Sequence, residues 1–169
     1  AVRVGFRFRG RAYAYNVLAE PRGNRVHNSQ FNLDALTPLG IEIQDRNIYF
    51  GYGQEDRIYV DSFLESGSGP LICLNQGGGW YTKRWGREKF ASLADLLVEE
   101  YGARILLAWG PGEREEVEEL RGMMKKEAFI PPATSLPQLG ALLARCALMI
   151  TNDSGPMHLA AAVGTPVLG

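Results

Sequence analysis

The feature that most constrains this chain is the regular alternation of short apolar runs with helical patterns from residue 71 to its end. The runs at 71–75, 104–109, 128–130, 147–150 and 166–168 are short and bounded by turn residues, and they read as buried strands. Between them lie helical patterns at about 87–101, 113–126, 136–146 and 156–163. Strand and helix in turn predict an α/β fold, a parallel sheet with helices on its faces. Phe90, Leu93, Ala94, Leu97 and Val98 recur at spacings that place them on one helix face, so they are core residues. In Ser135-Leu136-Pro137-Gln138 the serine and the glutamine three residues on form a capping box, and Leu139, Leu142 and Leu143 continue the buried face.

Residues 1–65 show no such self-contained alternation. Val2-Arg3-Val4-Gly5-Phe6 and Tyr13-Ala14-Tyr15-Asn16 read as short strands around an Arg-Gly-Arg turn, and 31–39 as a helix ended by Gly40. Glu65-Ser66-Gly67-Ser68-Gly69-Pro70 has the small, flexible composition of a linker. The expected domains are therefore 1–65, the end of one, and 66–169, the first part of another. Gly169 directly follows an apolar strand that should lead into another loop, so the chain is expected to be a fragment.

With 18 basic and 19 acidic residues the formal charge is −1, which gives no general attraction to nucleic acid. The apolar runs are too short to span a membrane, and the N-terminus lacks a secretory signal pattern. A soluble, cytoplasmic protein is expected. Cys73 lies in an apolar strand and Cys146 at the end of an apolar helix, which marks both as reduced core residues. The two Cys and two His are widely spaced and no Asp-x-Asp pair occurs, so chemistry without a metal is expected.

Three loops at the carboxyl ends of predicted strands carry the chemistry. Thr151-Asn152-Asp153-Ser154-Gly155-Pro156-Met157-His158 reads as a helix start suited to an anion, since backbone N–H groups and the helix dipole converge there. Asp153 or Ser154 caps the helix, Gly155 admits a ligand close to the backbone, Pro156 presets the first turn and His158 falls on it. An ordinary capped helix closed by Gly164 has the same residues. Gln76-Gly77-Gly78-Gly79-Trp80-Tyr81-Thr82-Lys83-Arg84-Trp85 holds the corresponding place after the first strand. Its glycines permit close approach to a phosphate, Thr82 offers a hydroxyl, and Lys83 or Arg84 offers neutralising charge. Trp80 and Trp85 read equally as cleft walls or as packing residues. In Trp109-Gly110-Pro111-Gly112-Glu113, Glu113 is placed either to accept from ribose hydroxyls or simply to start a helix. The later glutamates, through Glu119, read as a solvated helix face.

The run from Asn75 to Trp85, the Trp109-to-Glu113 loop and the stretch from Thr151 to Pro166 together resemble glycosyltransferase family 9, the ADP-heptose:lipopolysaccharide heptosyltransferases. The resemblance covers about 70–169 strongly, and Arg3-Val4-Gly5-Phe6 is similar to a late strand of the family's N-terminal domain. It implies the GT-B architecture, two Rossmann-like domains of which the C-terminal one holds the donor and the N-terminal one the acceptor. It also implies that Thr82 and Lys83 contact the donor diphosphate, that Glu113 holds ribose, and that Asp153, Ser154, Gly155 and His158 bind the phosphate and sugar end. The implied reaction is metal-independent, inverting transfer of heptose from ADP-heptose, with no further cofactor, to the lipopolysaccharide core at the inner membrane face. A peripheral position at that membrane goes with it. The family's base lies in a glycine-rich loop after the first strand of the N-terminal domain. No residue here matches that loop, and Asp34, Asp45, Asp56 and Asp61 lie too late, so the base is expected before Ala1. The 169 residues alone are expected to bind ADP weakly at best and not to transfer sugar. Arg7, Arg9 and Arg11 read either as an approach for an acidic acceptor or as solvated surface. Another GT-B sugar-nucleotide enzyme and a non-catalytic nucleotide-binding module stay open as alternatives.

Overall fold

The computed structural model describes residues 1–169 except 8, 9, 21, 23–25, 79–81 and 83. The chain divides into two compact units, Ala1–Ile48 and Tyr49–Gly169.

In the first unit, strand β1 (Val4–Phe6) pairs with β2 (Val17–Ala19) in parallel, and helix α1 (Asn28–Asp34) follows. The strand expected over 13–16 is instead a 3-10 turn at Ala12–Ala14, with the paired strand beginning at Val17. The turn arises because the N–H groups of Ala14 and Tyr15 bond back to the carbonyls of Arg11 and Ala12. Asn16 then fixes the register, its Oδ1 accepting from the Arg3 N–H at 2.8 Å. The helix expected over 31–39 begins earlier, at Asn28, and breaks at Ala35 before a separate 3-10 turn at Thr37–Leu39. Pro38 has no N–H with which to continue the α-helical ladder.

The second unit contains helix α2 (Gln54–Asp61), strand β3 (Leu71–Asn75), helix α3 (Arg87–Tyr101), strand β4 (Arg104–Leu107) and helix α4 (Arg114–Met123). Strand β5 (Ala128–Phe129), helix α5 (Leu136–Leu143), strand β6 (Leu148–Thr151), helix α6 (Gly155–Ala162) and strand β7 (Val167–Leu168) complete it. The sheet runs β5-β4-β3-β6-β7, every neighbouring pair parallel. The strand order reverses between β3 and β6. This is the Rossmann-like arrangement, in which the loops leaving the two central strands diverge to opposite sides and open a crevice at their carboxyl ends.

The pleat explains the two hydrophobic layers. Leu71 and Cys73 of β3 and Met149 of β6 face one layer with α2, α5 and α6, whereas Ile72, Leu74 and Ile150 face the other with α3 and α4. Leu74, Leu106, Leu107, Leu142 and Leu143 are fully buried, each contributing about 1.5–3 kcal/mol of apolar burial. The Ser135–Gln138 capping box forms in both directions, at 3.3 and 2.8 Å. α4 stops at Met123 rather than 126 because the Asp95 carboxylate accepts the N–H groups of Lys125 and Lys126.

The compact units divide at 48/49, ahead of the linker-like segment at 65–70. α2 precedes that segment in sequence, yet Val60 is 1% exposed within the core of the second unit, and Tyr59 donates to the Ala133 carbonyl at 2.6 Å. The linker-like segment is itself packed. Arg104 N–H donates to the Pro70 carbonyl at 2.9 Å, and Gly69, at φ +92°, lies directly against the Gly102 carbonyl. A Cβ there would stand 2.0 Å from that oxygen, so glycine serves close approach rather than flexibility.

Candidate functional site

β4, β3 and β6 stand side by side, with Leu74 opposite Leu107 and Asn75 opposite Thr151. Their carboxyl-terminal loops, the three singled out by sequence, therefore emerge at one edge. There the loop after β4, the start of α5, Pro156 of α6 and Asn75 at the end of β3 bound a cavity of about 680 Å³, whose walls include Trp109, Glu113, Ser135 and Leu139. Its size suits a nucleotide-sized ligand.

Trp109 forms a fixed wall, its indole N–H donating to the Pro131 carbonyl at 2.8 Å and its ring lying under the Arg114 guanidinium. Glu113 occupies the N-cap position of α4, and its Oε2 accepts from the Gly110 N–H at 2.8 Å. The other oxygen lies against the next loop, since a Cβ on Gly77 would be 2.7 Å from Oε1. A carboxylate has about four lone-pair sites, so the bond to Gly110 leaves acceptor capacity at the cavity.

Ser154 takes the N-cap position of α6, but its side chain does not cap the helix. The hydroxyl instead meets Asn75 Nδ2 at 3.2 Å and Thr151 Oγ1 at 3.1 Å. Gly155 opens the helix with nothing within 4 Å of the place a Cβ would occupy, Pro156 follows, and Asp153 and His158 are exposed. Gly164 at φ +87° ends the segment as expected. Thr82 is exposed in the glycine-rich loop, and Lys83, with Gly79, Trp80 and Tyr81, lies outside the described residues. Arg9 lies outside them too. Glu113 and Pro156 thus meet at one cavity, and Ser154 joins through Asn75. Thr82, Asp153, Gly155 and His158 belong to the same loops but are not among its described walls.

Two partners of the loops are structural. Arg84 donates to the Gly78 carbonyl at 2.9 Å and pairs with Glu116, which Arg87 also reaches at 3.2 Å. Glu116 is therefore an anchor for the glycine-rich loop, not only part of a solvated face. Trp85 stacks edge-on against Phe90, with ring centroids 5.1 Å apart, and so serves as a packing residue. Asn75 and Asn152 are the contributors that residue type and spacing do not single out, and Ser135, marked by spacing only as a helix cap, also lines the cavity. The available signal was a polar residue closing each apolar strand, Asn75 directly and Asn152 one place beyond.

The later aspartates are engaged locally. Asp34 pairs with Arg22, Asp45 accepts the Asn47 N–H, Asp56 accepts the Gly53 N–H and Asp61 pairs with Arg145. Among the described residues, no group of three or more His, Cys, Asp or Glu side chains is placed to hold a metal ion. Nor is any described helix long and apolar enough to cross a membrane.

A parallel sheet of this order, with a cavity where the order reverses, defines a Rossmann-like α/β protein, and the solved structures that the chain matches make the fold that of the GT-B type. It aligns over 90% of its length with 45% of a glycosyl transferase family 9 structure from Veillonella parvula, at TM-score 0.80 and 26% identity. It shares its fold with E. coli ADP-heptose lps heptosyltransferase II, at TM-score 0.75 and 24% identity over 98% of this chain and 54% of that one. Residues 1–169 match glycosyltransferase family 9 (heptosyltransferase), and the chain belongs to that family. It is 38% identical over 149 residues to lipopolysaccharide heptosyltransferase 3 of Escherichia coli K12, covering 85% of this chain and 43% of the relative. It is 33% identical over 174 residues to lipopolysaccharide heptosyltransferase 1 of Campylobacter coli, covering 89% and 51%. The chain thus spans about half the length of the curated relatives it matches.

Proposed function

We propose that this chain is the donor-binding part of a glycosyltransferase that moves heptose from ADP-heptose to the inner core of lipopolysaccharide, with inversion and without a metal ion. The observation that carries the proposal is the cavity at the reversal of strand order, which joins Glu113 to the first turn of α6. Family membership and the names of the relatives supply the substrate class.

In this reading the nucleoside lies between Trp109 and the start of α5, with Glu113 accepting from the ribose hydroxyls. The diphosphate lies toward α6, where the first-turn N–H groups have no intrahelical acceptor and the helix dipole favours negative charge. Gly155 leaves that approach open, and Asp153, Ser154 and His158 serve the phosphate and sugar end. Thr82 and Lys83 complete the diphosphate site from the glycine-rich loop. As the glycosidic bond breaks, charge develops on the departing ADP, and fixed cations and backbone dipoles stabilise it without reorganisation. The first unit, residues 1–48, belongs to the acceptor side, and none of Asp34, Asp45, Asp56 and Asp61 is assigned as base. The enzyme works at the cytoplasmic face of the inner membrane, where its acceptor lies.

The test is transfer by the intact gene product from ADP-heptose to heptose-deficient lipopolysaccharide core, followed by mass spectrometry, with and without EDTA. Product of one added heptose, undiminished by EDTA, is expected. Binding of UDP or GDP in preference to ADP, or transfer abolished by EDTA, refutes the reading.

A further inference from the structure

Two buried asparagines join the glycine-rich loop to the α6 loop. Asn152 is 6% exposed. Its Nδ2 donates to the Gln76 carbonyl at 2.7 Å, and its Oδ1 accepts from the Trp85 N–H at 3.0 Å. Gln76 is the first residue of the glycine-rich loop and Trp85 the last before the α3 N-cap Gly86. One side chain therefore holds both ends of the loop that carries Thr82 and Lys83, and it does so from the residue preceding Asp153.

Asn75, 2% exposed, makes the reciprocal connection from the neighbouring strand. Its Oδ1 accepts from the Gly77 N–H at 3.1 Å, and its Nδ2 donates to Thr151 Oγ1 and Ser154 Oγ, both at 3.2 Å. Backbone contact continues the join, as the Asn152 N–H donates to the Asn75 carbonyl at 3.3 Å. An amide is needed at position 152 because its partners are one carbonyl and one N–H. A carboxylate would face the Gln76 carbonyl without a proton to donate, and an apolar side chain would leave both backbone groups unpaired.

We infer that Asn152 is a positioning residue that holds Gln76 and Trp85, the two described ends of the glycine-rich loop, beside the start of α6, where the proposed diphosphate site lies. The inference rests on the proposed function. Asn152 is not among the walls of the cavity assigned to the nucleoside, which stands on Trp109, Glu113 and the start of α5. Loss of the amide therefore weakens binding of the diphosphate and leaves binding of the nucleoside intact, a split that a general loss of stability would not produce.

The experiment titrates the intact gene product, as wild type, Asn152→Leu and Asn152→Asp, with ADP and with adenosine, following amide NMR shifts to reach weak affinities. Asn152→Leu should bind ADP about tenfold less tightly, the worth of one buried hydrogen bond, with adenosine affinity unchanged. Asn152→Asp should show a similar loss at about pH 8 and recover relative to wild type toward about pH 5, where a protonated carboxyl again donates to Gln76 and accepts from Trp85. Equal losses for ADP and adenosine in both variants, which includes failure to fold, overturn the inference, as does unchanged ADP affinity. Failure of the wild type to bind ADP overturns the functional reading on which it rests.

Discussion

The sharpest test of the nucleoside assignment is Glu113→Gln. The amide oxygen retains an acceptor for the Gly110 N–H, now bonded at 2.8 Å, and the new NH2 group fits the space beside Gly77 because that residue has no side chain. The substitution therefore preserves the loop and removes the charge. A hydrogen bond to a charged group contributes about 1.5–3 kcal/mol and a neutral one about 0.5–1.5 kcal/mol, so the change removes about 1–1.5 kcal/mol of ribose binding. That is about a five- to twelvefold rise in Kd for ADP. Calorimetry measures it, and 2′,3′-dideoxy-ADP supplies the control. Without ribose hydroxyls the wild type and the variant should bind the analogue equally, so that the loss is confined to the pair of groups said to interact. Equal losses for both ligands, or no loss for ADP, would refute the ribose assignment and return Glu113 to the role of a helix-start residue.

Three further outcomes follow from the packing. Gly69→Ala forces a methyl group at φ +92° to within 2.0 Å of the Gly102 carbonyl and should lower Tm. The backbone strain alone is about 1–3 kcal/mol, and the shift should exceed about 5 °C. In Gly67→Ala the methyl's nearest neighbours are atoms of the flexible Arg104 side chain, and the change should cost much less; comparable melting of the two variants would refute the close-approach argument. The Cys73 thiol is raised well above its ordinary range, first by its hydrogen bond with Cys146 and then by burial. Thiol reagents should therefore modify it at the rate of unfolding, and rapid labelling of the native chain would contradict this placement. Hydrogen bonding from Arg22 lowers the Asp34 carboxyl below its ordinary value. Its stabilising contribution should be complete above about pH 4 and fade as pH falls through the depressed native value. The melting difference between wild type and Asp34→Asn should shrink over that interval, and a constant difference would dissociate it from titration.

Most of the second unit was legible because its signals are local. Hydrophobic period distinguishes β3 from α3, and Ser135 with Gln138 marks the start of α5 within four residues of sequence. α2 escaped this reading: Ile58 is 60% exposed while Val60 is buried, so its apolar residues trace no clean stripe. Its place depends on long-range contacts, such as that of Tyr59 with Ala133. The linker-like segment misled for the same reason. Small residues serve flexible connections and close backbone approach alike, and only the distant Gly102 carbonyl distinguishes the two at Gly69.

The candidate site divides along the same line. Each loop's chemistry was readable by itself, because glycines, a helix start and a terminal carboxylate are local patterns. What converts three loops into one site is not local. The bonds from Asn152 to Gln76 and Trp85 cross most of the second unit in sequence, and nothing near Asn152 in the chain indicates its partners. Those bonds are possible only because β6 adds to the sheet beside β3 rather than beyond β5. Had the fourth strand joined the other edge, the same residues would have left three separated helix starts, each with its charge and none with a neighbour. The reversal of strand order therefore does more than open a crevice. It brings a polar side chain from one strand end within reach of both ends of the other strand's loop, where the buried amide ties Gln76 and Trp85 to one point. On the proposed reading this matters for affinity, because a loop tied at only one end loses more conformational entropy on each binding event than one tied at both.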